Sequence, residues 1–114
     1  MSRSIPQPNY TQFPNVLLDH EMAELTDAEW RCVCYIVRHT FGFHRGGEAI
    51  SLSQFAEGIC GLDRGTGLER RSVERALSTL EERGILIRTR RKAAHGGAMP
   101  NVYSLNLAAV DTES

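Results

Sequence analysis

Nine of the thirteen Arg and Lys residues of this chain lie between Arg64 and Lys92, in the segment RGTGLERRSVERALSTLEERGILIRTRRK, against four glutamates. The segment therefore carries about +5 inside a protein whose formal charge is −1. Guanidinium groups at this density can grip phosphate oxygens, and their planar forks can also bond the O6 and N7 edge of guanine. Such a charge asymmetry is the footprint of a surface that docks on a polyanion, and nucleic acid is the polyanion it implies.

The spacing says which cations share a surface. Val73, Ala76, Leu77 and Leu80 recur as the apolar face of a helix from Glu69 to Arg83, stopped by Gly84. At about 100° per residue, Arg71 and Arg75 then point away from that face, flanked by Ser72, Ser78 and Thr79. Arg71, Ser72 and Arg75 are expected to read a major groove, with Ser78 beside them. Arg70 lies nearer the helix–core boundary and suits a phosphate better than a base. Arg88, Arg90, Arg91 and Lys92 close a strand-like run; Arg88 and Arg90 share one face, and Arg91 lies on the other with Ile85 and Ile87. Arg88, Arg90 and Lys92 are expected to hold phosphates, with Arg91 completing the basic set. The plainer alternatives are a solvated helix face with Glu74 and Arg75 in exchange, and an edge strand protected by charge.

Other chemistries find little support. Cys32 and Cys34 with His39 and His44 suggest a metal, but helical residues two apart diverge by about 200°, so the two thiols cannot close on one ion. The loop GICGLDRGTG lacks the Lys and hydroxyl of a phosphate-binding catalytic loop and reads as a flexible turn, in which Asp63 and Arg64 could pair or touch backbone phosphate. No hydrolase or metalloprotease signature occurs, so no enzymatic activity and no cofactor are expected. No run reaches the roughly 18 apolar residues of a membrane span, and the start MSRSIPQPNY has no apolar signal core. With three cysteines in no framework spacing, the expectation is a cytoplasmic protein with free thiols.

The elements that position the basic residues follow from the rest of the pattern. Residues 1–12, with Pro6 and Pro8, should form an extended arm, residues 13–108 one domain, and residues 109–114 a tail. Pro14 is placed to open a short helix through Leu17 and Leu18. Thr26 to Glu29 spell a capping box for a helix reaching about Thr40, apolar over two stripes: Trp30, Val33, Cys34, Val37 and Phe41 on one, Cys32, Tyr35 and Ile36 on the other. It should be the central helix, its second stripe covered by the N-terminal helix or by another subunit, which leaves room for a homodimer. A short extended piece at Ile50 precedes an S-x-x-Q box at Ser51 and a two-turn helix with Leu52, Phe55, Ala56 and Ile59 on its core face. After Gly84, residues 85–92 and 101–107 read as two strands joined by the exposed tip AAHGGAMP, anchored by Ile85, Ile87, Val102 and some of Tyr103, Leu105 and Leu107. This order gives a mainly α fold with a small β-hairpin, a winged helix-turn-helix with the Glu69 to Arg83 helix in the recognition position.

YTQFPNVLLD, ELTDAEWRCVCYIVRHTFGFHR, ISLSQFAEG and GTGLERRSVERALSTLEERGIL resemble, in this order, the N-terminal domain of bacteriophage replication protein O. The resemblance spans Tyr10 to about Leu107, and its first segment is the most particular to the replication group. It implies a winged helix that recognises a phage origin, with helicase recruitment belonging to a further C-terminal region of the family. Glu69 stands where the pattern usually has Ser or another small polar helix cap. The expected function is sequence-specific binding of double-stranded DNA, as an origin or operator binder. A module holding RNA or a protein partner is the alternative, and duplex, structured RNA and single strands at matched salt would separate the two.

Overall fold

A computed structural model describes residues 10–92, 94 and 98–107. Residues 1–9 of the expected arm over residues 1–12, and the tail over 109–114, lie outside the described residues. Pro14 opens the N-terminal helix as expected, its carbonyl accepting from the Leu17 N–H, and the helix passes into a π turn, Leu17–Glu21. Helix α1, Asp27–Thr40, begins on the full capping box: the Thr26 hydroxyl accepts from the Glu29 N–H at 3.2 Å, and the Glu29 carboxylate accepts from the Thr26 N–H at 3.0 Å. A 3₁₀ turn, Phe41–Phe43, leads to strand β1, Glu48–Ala49, and helix α2, Leu52–Glu57, capped by the Ser51 hydroxyl. Helix α3, Arg70–Glu82, strand β2, Leu86–Lys92, and strand β3, Ala98–Leu105, complete the order of a winged helix-turn-helix.

The second stripe of α1 is buried within this one chain, and of the first stripe Val33 and Val37 are buried while Trp30, Cys34 and Phe41 are half-buried. Cys32, Val33 and Ile36 have no exposed surface, and they join Leu17 of the N-terminal helix, Phe55 of α2, the Val73–Leu80 face of α3, and Leu86 and Tyr103 of the sheet in one core. Covering the second stripe therefore requires no other subunit. Aromatic rings fill the middle: Phe55 meets Tyr103 edge-on at 5.0 Å and Tyr35 at 5.5 Å.

The hairpin is part of a three-stranded antiparallel sheet of order β1-β3-β2, because Glu48 and Ala49 pair with Tyr103 and Val102. Three expectations for it need correcting. Strand β3 begins at Ala98, so Ala98 to Pro100 belong to the strand and not to a tip, and of the rest of the expected tip only Ala94 lies within the described residues. Its anchors are Leu86 and Tyr103, with Ile85 and Leu105 partly buried, while Ile87 and Leu107 are exposed. The parity of β2 is set at its start: Gly84 takes a positive φ of 76° and Ile85 donates back to the Leu80 carbonyl, which turns Leu86 inward. Between the Thr89–Val102 and Arg91–Met99 pairs, Pro100 and Asn101 stand against Arg90 alone, a bulge that accommodates a residue with no N–H to give.

The turn between α2 and α3 is the other departure. Ile59 lies past the end of α2 and is exposed, not on its core face. The expected flexible loop is instead tied down: the Thr66 N–H and hydroxyl both donate to the Phe55 carbonyl, at 2.7 and 2.8 Å, and the Gly67 N–H reaches the Ala56 carbonyl. Gly65 passes so close to the end of α2 that a Cβ there would stand 2.6 Å from the Gly58 nitrogen.

Candidate nucleic-acid interface

Helix α3 presents its apolar face to the core, with Val73, Leu77 and Leu80 fully buried. Arg70, Arg71, Glu74 and Arg75 are exposed, and Ser72, Ser78 and Thr79 are half-buried at the margins. Glu69 occupies the N-cap position without a side-chain bond to the helix, as its departure from a small polar cap leads one to expect. Toward α1, Ser72, Arg75 and Thr79 line one wall of a cleft of about 280 Å³ whose other wall is Thr26, Ala28 and Glu29. Cations concentrate in the first two turns of α3, while Glu82, without an ion pair among the described residues, lies in its last, so the N-terminal half is the part suited to a polyanion.

Toward the wing the arrangement differs from the sequence expectation. Arg88, placed above with the phosphate-holding residues, is internal, its side chain only 3% exposed. Its guanidinium bonds Glu74 at 3.2 Å, Glu81 at 3.1 Å and the Ser78 hydroxyl at 3.1 Å, all on α3. Because Leu86 faces inward, the strand alternation carries Arg88 against the helix, where it neutralises two partly exposed carboxylates of α3. Arg90 is exposed and reaches Glu81 at 3.3 Å. Hydrogen bonds from Arg90 and Arg88 hold the Glu81 carboxyl below the usual glutamate range. Arg91 is exposed, its Nε donating to the Pro100 carbonyl at 3.2 Å, and the Lys92 side chain lies outside the described residues.

Further pairs consume charge that a sequence count leaves free. Arg83 pairs with Glu24 and Glu29, and Arg70 with Glu57 at 3.4 Å across two exposed side chains. In the basic segment, Arg64, Arg71, Arg75 and Arg91 make no ion pair among the described residues. Arg64 is exposed on the turn just before α3, and no helical or strand period could have singled it out.

Asp63 sets the shape of that turn. Its carboxylate accepts from the Gly65 N–H at 2.8 Å and the Tyr35 hydroxyl at 3.0 Å, and it stands 2.9 Å from Nε2 of the buried His39. Tyr35 and His39 are four apart, one turn of α1, and that spacing was the available signal for a shared partner. Partial burial alone would raise the Asp63 carboxyl. The bonds from Gly65, Tyr35 and His39 outweigh it and leave the group below its ordinary value of 3.8. A depressed carboxyl contributes stability that is present above the unfolded value and lost as pH falls through the folded one. The melting temperatures of wild type and Asp63→Asn should therefore differ at pH 5 and converge as pH falls below about 3.8. A gap unchanged down to pH 2 would show that the charge on Asp63 contributes nothing.

The thiols are placed as the helix geometry requires. Cys32 is buried, Cys34 half-buried and Cys60 exposed, and burial, with Glu29 adding to it, pushes the Cys32 thiol up to about 12. Among the described residues no group of His, Cys, Asp and Glu could hold a metal, and no helix is long and apolar enough to cross a membrane.

No curated protein and no solved structure matches the chain. The family model described as bacteriophage replication protein O matches residues 7–98, from ahead of the N-terminal helix to the start of β3. That span takes in every element that builds and orients α3, and by it the chain belongs to the bacteriophage replication protein O family.

Proposed function

We propose that this member of a phage replication family binds duplex DNA sequence-specifically, laying the N-terminal half of α3 in the major groove at a replication origin. The observation that carries the reading is the outward pair Arg71 and Arg75, exposed and without ion-pair partners among the described residues, on the helix that a winged helix-turn-helix uses for recognition. Arg71, Ser72 and Arg75 read base edges, with Ser78 at the margin. Arg64, Arg70, Arg90, Arg91 and Lys92 hold phosphates, and Arg88 supports the surface from beneath.

Binding measured by fluorescence anisotropy on duplex DNA should fall with salt, with a slope of log K against log salt of roughly −4 to −5 for about five phosphate contacts. Arg71→Ala or Arg75→Ala should cost about 1–3 kcal/mol on the preferred site and flatten the difference between sequences. Arg90→Ala should weaken all duplexes alike. A slope near zero, or equal binding to structured RNA and duplex at matched salt, would overturn the duplex-DNA reading. Uniform losses in all three variants would remove base reading from α3.

A further inference from the structure

Glu74 is an anomaly on the surface just described. It is three residues after Arg71 and four before Ser78, so it shares their side of α3, and its side chain is 48% exposed. A carboxylate facing a phosphate backbone is repelled unless its charge is offset and its free oxygen lone pairs meet donors. The offset comes from the buried Arg88 guanidinium, whose Nη1 lies 3.2 Å from one carboxylate oxygen and 3.5 Å from the other, while the Ser78 hydroxyl donates to the first at 3.1 Å. Glu81, two helical turns further on, is consumed by Arg88 and Arg90 together, whereas Glu74 has no second cation among the described residues. The result is a half-exposed acceptor held in place by Arg88 and Ser78 on the same side of α3 as Arg71.

We infer that Glu74 is a base-reading residue that accepts a hydrogen bond from the exocyclic amino group of a cytosine in the major groove, and that Arg88 is its positioning residue. The inference rests on the major-groove docking proposed above and extends it to the base class recognised. An ionised carboxylate has acceptors only, and cytosine N4 is the donor that Glu and Asp take in that groove. Arg71 and Arg75 favour guanine on the same face. The site is thus expected to contain a G·C pair read on its cytosine side next to guanines read by arginine.

The experiment selects bound duplexes from a random pool with the wild-type chain and with Glu74→Gln. The amide oxygen of glutamine can still accept from Arg88, while its amide N–H₂ and oxygen together match adenine N7 and N6. Wild type should prefer cytosine at one position by about tenfold, and Glu74→Gln should prefer adenine there with the other positions unchanged. In a second measurement, N4-methylcytosine at that position, which keeps the base pair but removes the groove-side amino proton, should weaken wild-type binding about tenfold. This measurement needs no variant to fold. Identical preferences for both proteins, or full tolerance of N4-methylcytosine, would overturn the role of Glu74 while leaving Arg71 and Arg75 as readers. If wild type selects no motif at all, base reading by α3 fails as a whole and takes this inference with it.

Discussion

Phe55→Ala is expected to cost about 3–5 kcal/mol, because the ring is fully enclosed and its removal leaves a cavity between Tyr35 and Tyr103 that neither stiff ring can fill. A domain of this size holds roughly 5–15 kcal/mol in all, so the variant should unfold at a much lower urea concentration and could be largely unfolded at body temperature. Leu77→Ala, equally buried on α3, is the comparison and should lose about 2–5 kcal/mol. A loss below 1 kcal/mol at Phe55 would mean that α2 collapses onto α1 without it, and the aromatic centre would not be what holds the two helices together.

Arg88→Ala should lower stability by about 2–4 kcal/mol, through the lost packing of its stem and the bonds it makes to Glu74, Glu81 and Ser78. Glu74 and Glu81 are partly exposed and water can reach them, which keeps the loss below that of a fully buried pair. Arg90→Ala, at an exposed pair, should stay within about 1 kcal/mol of wild type. The two variants should also part on DNA. Losing Arg88 releases two carboxylates beside the reading face, so affinity for every duplex should fall further than with Arg90→Ala, even at a temperature where both are folded. Equal stability and equal affinity for the two variants would show that Arg88 behaves as an ordinary surface cation.

Much of the fold was legible because local signals agreed with one another. The Thr26–Glu29 box, the Ser51 cap and the Gly84 stop each fix a helix end through a bond that residue type alone predicts, and the Val73–Leu80 period identifies the buried face of α3. The parity of β2 was not legible. Ile85, Leu86 and Ile87 are all apolar, so alternation cannot say which face is inward, and the angle at which the chain leaves Gly84 decides it. From that one step follows the fate of Arg88, read as a surface residue and found inside. The partners of Asp63 were not legible for a related reason: in the sequence it reads as pairing with Arg64 or touching phosphate, whereas Tyr35 and His39, 28 and 24 residues away, come within reach only in the folded turn.

The bulge at Pro100 and Asn101 bears on how the domain behaves at high concentration. Among the described residues, strand β1 covers β3 only at Tyr103 and Val102, with one further bond from Ile50 to Asn101, so the stretch toward Ala98 has a described neighbour on a single side. Open strand margins of this kind are where chains add to one another and aggregate. Here the margin is short, interrupted by the bulge and deprived of one amide by Pro100, while the outer strand β2 ends in Arg90, Arg91 and Lys92. At high concentration several copies can therefore crowd together without their sheets joining into a continuous ribbon.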